Sequence, residues 1–234
     1  VNPLLGATAH IAFPTAGIQA TWLSTSDSCA VLVDGTVRCW HPSGWPDPSM
    51  AVKGLTQVST LAGSASHECA LRIDGTVWCW GSSNQYWQLG GPSQNADTRV
   101  PQQVPGIANA VAVSVGGPRS CAVLVDGSVN CWGYWPAVSD GRLPPTTVGG
   151  LPPVAQMSLS ESHACATSTD ADVWCWGSNG AGQLGTGTTT DSAAPVQVTG
   201  LGAVRSVSVA PEVSCAVLTD DTLWCWGNNS WNQL

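Results

Sequence analysis

Residues 69–80 read CALRIDGTVWCW, and this stretch decides the fold because alternating apolar residues flank a turn of Asp-Gly type. Pairing Cys69 with Cys79 predicts a β-hairpin closed by the three-residue loop 73–75. Loops of this length favour a type I turn followed by a left-handed residue, and Gly75 stands at that position. The same register makes the two cysteines a non-hydrogen-bonded pair with Cα atoms about 4.5 Å apart, a distance that a disulfide can span.

The hairpin pattern occurs five times, and each copy carries the spacing C-x9-C. The cysteine pairs are Cys29 and Cys39, Cys69 and Cys79, Cys121 and Cys131, Cys165 and Cys175, and Cys215 and Cys225. An even cysteine count with one spacing predicts five disulfides and an oxidising compartment, so we expect a secreted or cell-surface protein. Free thiols and zinc ligands are the alternatives, although structural zinc sites usually take ligands two to four residues apart. Ala171 and Asp221 replace the turn glycine, so those two turns must accept a strained left-handed residue with a side chain or adopt another turn type.

The repeat period identifies the architecture. First cysteines are separated by 40, 52, 44 and 50 residues, and a short β-branched segment precedes each of them. Periods of about 40–50 residues built from short strands are typical of propeller blades with four strands each. The sequence therefore predicts an all-β protein, a single β-propeller domain over residues 1–234 with five blades of four antiparallel strands.

The two ends of the chain predict how the ring closes. Gln233-Leu234 matches Gln88-Leu89 and Gln183-Leu184, so the last repeat stops inside its own motif. Residues 1–14, with Ile11-Ala12-Phe13 as a strand, are expected to complete the last blade by overlap of the termini. A piece of a longer repeat array would carry the same pattern, and that alternative stays open.

Composition restricts the partners. The 234 residues carry a formal net charge of −8 with only seven Lys and Arg, which argues against nucleic acid because no basic surface can follow a phosphate backbone. No apolar run approaches the roughly 20 residues that a membrane helix needs, so no membrane insertion is expected. A hydrophobic content of 43% with 13 tryptophans excludes an intrinsically disordered chain.

Two stretches resemble a known repeat. Residues 69–90, CALRIDGTVWCWGSSNQYWQLG, and residues 165–187, CATSTDADVWCWGSNGAGQLGTG, are similar to the regulator of chromosome condensation repeat. That repeat carries an Asp-Gly hairpin, then Trp-Gly, then Gly-Gln-Leu-Gly. The resemblance implies a β-propeller that presents its loops to another macromolecule, and the paired cysteines resemble the secreted or cell-surface version.

Most residues repeated in every copy are assigned structural roles. The tryptophan after each second cysteine is expected to pack between blades, and the turn aspartate to cap its hairpin. The tryptophans are Trp40, Trp80, Trp132, Trp176 and Trp226, and the aspartates are Asp34, Asp74, Asp126, Asp170 and Asp220.

The loop before the first cysteine differs among repeats, which is typical of a surface that packing does not hold. Candidate contact residues there are Asp27, His67, Arg119, His163 and Glu212. Tryptophans in Gly-, Pro- and Asn-rich loops form an alternative set: Trp45, Trp87, Trp135 and Trp231. Such aromatics can serve as a sugar platform or as a protein hot spot.

These features favour a non-enzymatic, extracellular module that binds a protein partner. A lectin-like propeller that binds a glycan is the alternative, and an enzyme is less favoured. No nucleophile–base arrangement and no metal-ligand spacing of histidines is present, so we expect no metal and no cofactor.

Overall fold

The structure is a computed structural model that describes residues 18–23, 28–40, 50–91, 98–135, 141–232 and 234. Within these ranges 19 strands form five antiparallel sheets, each connected as a simple meander. The all-β propeller architecture predicted from the sequence is thereby confirmed.

The strands fall into one sheet per repeat. The first sheet contains β1 (Ile18–Leu23), β2 (Ser28–Leu32), β3 (Val37–Trp40) and β4 (Met50–Ala51). The second contains β5 (Val58–Gly63), β6 (His67–Arg72), β7 (Val77–Gly81) and β8 (Thr98–Gln103). The third contains β9 (Ala110–Gly116), β10 (Arg119–Leu124), β11 (Val129–Tyr134) and β12 (Arg142–Thr147). The fourth contains β13 (Val154–Leu159), β14 (His163–Ser168), β15 (Val173–Gly177) and β16 (Ser192–Gln197). The fifth contains β17 (Val204–Ala210), β18 (Val213–Leu218) and β19 (Leu223–Gly227).

The hairpin between β6 and β7 has the predicted register. Cys69 pairs with Cys79, and the Arg72 N–H donates to the Thr76 carbonyl at 2.9 Å to close the loop. Gly75 adopts the left-handed conformation with φ of 79°. Ala171 and Asp221 take the same conformation, each with φ of 67°, so those two turns keep their shape despite the loss of glycine.

The turn aspartates cap their hairpins in four of the five repeats. In the second repeat, Oδ1 of Asp74 accepts hydrogen bonds from the Thr76 N–H at 3.0 Å and from its hydroxyl at 2.6 Å. The same bonds occur at Asp34, Asp126 and Asp220. Asp170 differs because Asp172, which offers no hydroxyl, stands where the other repeats have Thr or Ser. There the Asp172 N–H donates to Ser168 Oγ at 3.1 Å instead.

All ten cysteines are paired within their own hairpins, as the spacing predicted. The paired Cα atoms lie 4.0–4.1 Å apart, slightly closer than an ideal non-hydrogen-bonded pair. The free-thiol and zinc alternatives are therefore set aside.

Neighbouring sheets pack face to face, and the tryptophan after the second cysteine fills the space between them. Trp132 lies in one cluster with the Cys69–Cys79 disulfide and Val77 of the preceding sheet. Trp80 and Trp176 are likewise buried, Trp226 is half-buried, and the side chain of Trp40 lies outside the described residues. Large aromatics at a repeated strand position thus supply much of the apolar burial between blades.

The far face of the fifth sheet is more exposed than its counterparts. Leu223 is 66% exposed, whereas Val173 at the equivalent position is 2% exposed. Leu234 is 45% exposed, whereas Leu184 is fully buried. The predicted overlap of the termini involves residues 1–14 and Gln233, which lie outside the described residues.

We predict that deleting residues 1–14 lowers the melting temperature (Tm). The deletion removes Ile11 and Phe13 of the predicted strand; if that strand completes the last blade, the burial of the two side chains contributes about 3 kcal/mol, equivalent to roughly 6–12 °C in Tm. A matched deletion of residues 1–7 keeps that strand and should leave Tm nearly unchanged. Equal melting temperatures for the full chain and the chain lacking residues 1–14 would contradict closure by the N-terminal segment.

Candidate functional site

The loops before the first cysteine meet on one side of the sheets. Ser64 Oγ in the second repeat donates to the Gly117 carbonyl of the third at 2.8 Å. Gly117 in turn lies against the fourth repeat so closely that a Cβ there would be 2.6 Å from Cβ of Glu161. In the fifth sheet the Val209 N–H donates to Ser158 Oγ at 3.1 Å, just before the equivalent loop. We call residues 64–66, 117–118, 160–162 and 211–212 the loop face.

The exposed charges of the loop face are acidic. Glu161 and Glu212 are both exposed, and Asn228 Nδ2 donates to Glu212 Oε2 at 2.6 Å, which holds that carboxylate in place. Glu212 is the one predicted contact residue of this set that the structure shows to be exposed. Asp27 lies outside the described residues.

His67 and His163 are buried between blades instead of lying on the surface. His67 is 1% exposed and His163 is fully buried. His67 Nε2 lies 2.6 Å from Ser120 Oγ of the third sheet, and His163 Nε2 lies 2.8 Å from Ser214 Oγ of the fifth. Each histidine therefore connects its own blade to the next one.

Each serine hydroxyl donates a hydrogen bond to a main-chain carbonyl, and this donation assigns the histidine tautomer. Ser120 Oγ donates to the Gln88 carbonyl at 3.3 Å, and Ser214 Oγ donates to the Gln183 carbonyl at 2.8 Å. A hydroxyl has one proton, so each serine must accept from the histidine Nε2–H. The same two carbonyls accept from the indole N–H groups of Trp132 and Trp226, both at 2.9 Å. We call each set of His, Ser, Gln carbonyl and Trp an inter-blade network.

The inter-blade networks contain a Ser–His pair, but they lack the properties of a nucleophile and its base. Desolvation lowers the pKa of His67 to about 3, and desolvation together with the charge of Arg119 lowers that of His163 to about 4. A general base is most effective with a pKa near the working pH. Nδ1 of His163 lies near the hydroxyls of Ser160 and Ser162, at 3.1 and 3.3 Å, where a triad would supply a carboxylate. The networks are therefore structural.

Arg119 occupies the histidine position of the third repeat and is also buried. Its guanidinium carbon lies 4.9 Å from the centroid of the Trp135 ring and 5.9 Å from that of Tyr134. Burial lowers the pKa of Arg119, while Tyr134 and Glu161 act in the opposite direction. Its side chain thus belongs to the interior beneath the loop face.

The four loop tryptophans do not share one environment. Trp231 is 87% exposed, Trp87 is half-buried and Trp135 is buried over Arg119. Trp45 lies outside the described residues. Of the three loop tryptophans that the structure describes, Trp231 in the last repeat is the exposed one.

The prediction from the sequence did not identify the serine partners of the two histidines. Ser120 and Ser214 each stand one residue before a first cysteine, in the repeat that follows a histidine repeat. Comparing each repeat with its successor, instead of aligning all five in parallel, would have revealed the pairing. Where Arg119 replaces histidine, the next repeat has Ala164 in place of serine.

The described ranges contain no group of three or more His, Cys, Asp or Glu side chains placed to hold a metal ion. They also contain no helix with the length and apolar character needed to cross a membrane.

Meander sheets that are fastened by hairpin disulfides and packed side by side define a disulfide-stapled β-propeller. The Regulator of chromosome condensation (RCC1) repeat matches residues 74–123 and 170–217, and a second form of the same repeat matches residues 57–86 and 154–183. The chain belongs to this repeat family.

Solved structures show the same fold. Yeast RCC1 (Prp20), solved bound to Kap60, has a TM-score of 0.76 and 17% identity over 91% of this chain and 56% of its own. Human WBSCR16 has a TM-score of 0.71 and 20% identity over 82% of this chain and 56% of its own. The ectodomain of the receptor kinase ACR4 from Arabidopsis thaliana has a TM-score of 0.58 and 18% identity over 93% and 66%, respectively. The chain spans little more than half of the first two proteins, and no curated protein sequence matches it.

Proposed function

We propose that this protein is a non-enzymatic, extracellular binding module whose five repeats act as one domain and present the loop face to a protein partner. The contact between loops of successive sheets, Ser64 with Gly117 and Gly117 with Glu161, is the observation that carries the proposal. Loops that touch one another form a continuous surface, and a stable protein interface needs about 800 Å² from each partner.

The charge of the loop face favours a basic partner surface. Glu161 and Glu212 are exposed on it, and the whole chain carries a formal net charge of −8. Complementary charge raises the rate of encounter and disfavours wrong partners more than it raises affinity. Of the sequence-derived contact residues, Glu212 would touch the partner directly, while the buried His67, Arg119 and His163 would shape the loops beneath it.

Two further facts support the extracellular role. The protein has five disulfides. Disulfides form and persist in oxidising compartments and are rare where thiols are kept reduced. The ACR4 domain with the same architecture is an ectodomain. Prp20 bound to Kap60 supplies the precedent of a protein partner for this fold.

A lectin-like function is the second candidate, and the exposure of Trp231 favours it. An indole ring that is 87% exposed can stack on a sugar ring. The loops of the five repeats differ in sequence, so five equal sugar sites are not encoded.

The two candidates are separated by presenting the oxidised protein to a glycan array and, in parallel, to secreted proteins of its source, with bound proteins quantified by mass spectrometry. We expect no saturable glycan binding and at least one protein that binds saturably. Glycan binding that disappears in a Trp231→Ala variant, with no bound protein, would replace the proposal by the lectin-like function.

A further inference from the structure

The hairpin turns form the end of the sheets that lies opposite to the loop face. We call this end the hairpin face, and it comprises residues 33–35, 73–75, 125–127, 169–171 and 219–221. Three of the turns begin with an aliphatic residue that is mostly exposed: Val33 and Ile73 are each 69% exposed, and Val125 is 73% exposed. We call these three side chains the aliphatic row. The other two turns begin with Thr169 and Thr219.

The fold does not require an aliphatic side chain at this position. The first residue of the turn is held through its main-chain N–H, which donates to the residue before the first strand of the same blade. Ile73 donates in this way to the Gln57 carbonyl at 2.9 Å, and Thr169 donates to the Pro153 carbonyl at 2.8 Å. Threonine therefore serves the turn as well as isoleucine does, and the aliphatic row is exposed without a structural need for it.

Main-chain contacts join the three turns of the aliphatic row into one surface. A Cβ on Gly75 of the second turn would lie 2.8 Å from Cα of Asn109, and the Asn109 carbonyl accepts from the N–H of Val125 in the third turn at 2.9 Å. The first and second turns are linked in the same way. Facing sheets pack about 10 Å apart, so the row extends over about 20 Å. Single exposed aliphatic residues are common, whereas a row on one continuous surface is typical of an interaction site.

A line of carboxylates runs beside the aliphatic row, because an aspartate follows each of its members. Hydrogen bonds from the next Thr or Ser lower the pKa of these aspartates, so they are ionised at neutral pH. Arg72 and Arg205 pair with two aspartates of the hairpin face, and the face as a whole remains acidic. Its exposed aspartates are Asp34, Asp74, Asp126, Asp170, Asp220 and Asp221. This charge disfavours a second copy of the chain as the occupant and favours a basic partner.

We propose that the aliphatic row and its aspartates bind a basic amphipathic helix of a protein partner. Two turns of a helix advance about 11 Å, close to the spacing of about 10 Å between facing sheets. Apolar residues at positions i, i+7 and i+14 of such a helix therefore contact the three members of the row together, while flanking Lys and Arg side chains meet the aspartates. The site goes beyond the proposed function of the loop face, because binding at opposite ends of the sheets lets the protein connect two partners.

The test uses a labelled synthetic helix of about 20 residues, with Leu at every seventh position flanked by Lys, and a counterpart with Glu in place of Lys. Binding to the oxidised full chain is measured by fluorescence anisotropy at low ionic strength, where charges are least screened. We expect saturable binding of the Lys peptide and none of the Glu peptide. Changing the row by Val33→Thr, Ile73→Thr and Val125→Thr keeps every charge and should raise Kd by roughly tenfold or more.

Two controls accompany the triple variant. Its Tm should equal that of the unmodified protein, because threonine already occupies this position in the fourth and fifth turns. Val100→Thr removes a valine of β8 that is 68% exposed and lies outside the hairpin face, so the Kd of the Lys peptide should not change. The Glu161→Ala, Glu212→Ala variant of the loop face should also bind the Lys peptide normally.

Absence of saturable binding by the Lys peptide would overturn the proposal. Equal Kd values for the unmodified protein and the triple variant would also overturn it, because the peptide would then bind through charge alone. Loss of peptide binding in the Glu161→Ala, Glu212→Ala variant would place the peptide on the loop face instead. If sedimentation shows a dimer of the unmodified chain and a monomer of the triple variant, a second copy occupies the row and the proposal fails.

Discussion

Reduction of the five disulfides is expected to unfold this protein at physiological temperature. Each disulfide joins cysteines with a sequence separation of 10, and closing such a short loop stabilises by roughly 2–3 kcal/mol. Five of them sum to the order of 10–15 kcal/mol, which is comparable to the whole stability of a typical domain. The hairpins cannot compensate, because a two-stranded hairpin is marginal in water by itself.

The measurement is thermal melting by circular dichroism with and without a reducing agent, accompanied by intact mass. Five bridges at two hydrogens each place the oxidised mass ten hydrogens below the reduced mass. Unchanged melting after complete reduction would show that packing alone holds the blades. A native mass at the fully reduced value would remove the disulfides altogether.

Two single-bridge variants separate the contribution of chain constraint from that of packing. Cys165→Ala with Cys175→Ala removes a fully buried bridge, and Cys215→Ala with Cys225→Ala removes a half-buried bridge of the same loop length. Both variants release the same length of chain, so the loss of loop-closure entropy is equal. The variant lacking Cys165 and Cys175 should lose more stability, because it also leaves a cavity in the core. Equal losses would contradict the packing of the fourth disulfide against the fifth sheet.

Acidification from pH 7 to pH 5 is expected to destabilise the protein by about 4 kcal/mol. His67 and His163 have pKa values of about 3 and about 4 in the folded protein, against 6.5 for an unperturbed histidine. The unfolded chain therefore binds more protons below pH 6.5, and stability falls as the pH falls through that value. At pH 5 each histidine contributes a loss of about 2 kcal/mol, so Tm should decrease by roughly 8–16 °C.

The His67→Gln, His163→Gln double variant tests this origin. Glutamine keeps a side-chain N–H for Ser120 and Ser214 but does not titrate, so the dependence of Tm on pH between 7 and 5 should flatten. A second loss is expected only below about pH 4, because hydrogen bonds from Thr76, Thr222 and their equivalents lower the pKa of the turn aspartates. Equal slopes for the variant and the unmodified protein between pH 7 and 5 would contradict the role assigned to the two buried histidines.

Local features of the blades could be predicted because they depend on short-range chemistry. The C-x9-C spacing and the Asp-Gly turn specify a hairpin register, and Cys69 and Cys79 are opposite each other as expected. Left-handed Ala171 and Asp221 show that the register persists where the preferred turn residue is missing. The turn residues, the alternation of apolar side chains and the disulfide thus each specify the same hairpin register.

Contacts between blades could not be predicted from one repeat at a time. A histidine beside two serines in a variable loop indicated a surface, yet His67 and His163 are buried because each has a serine partner about 50 positions further along the chain. Arg119 is buried for a related reason, since it fills the same space between blades. The exposure of a loop side chain depends on which residues the neighbouring repeat places against it. An alignment that superimposes equivalent positions of the repeats does not reveal such contacts.

Paired variants at opposite ends of the sheets test the binding role of the loop face most directly. Glu161→Ala with Glu212→Ala removes two exposed carboxylates from the loop face, and Asp170→Ala with Asp172→Ala removes two from the opposite hairpin end. Both variants change the net charge equally, and secreted proteins captured by each are compared with those captured by the unmodified protein. We predict that a saturably bound protein is lost with the loop-face variant and kept with the opposite-end variant. Its retention by the loop-face variant, or equal loss with both variants, would contradict binding through this face.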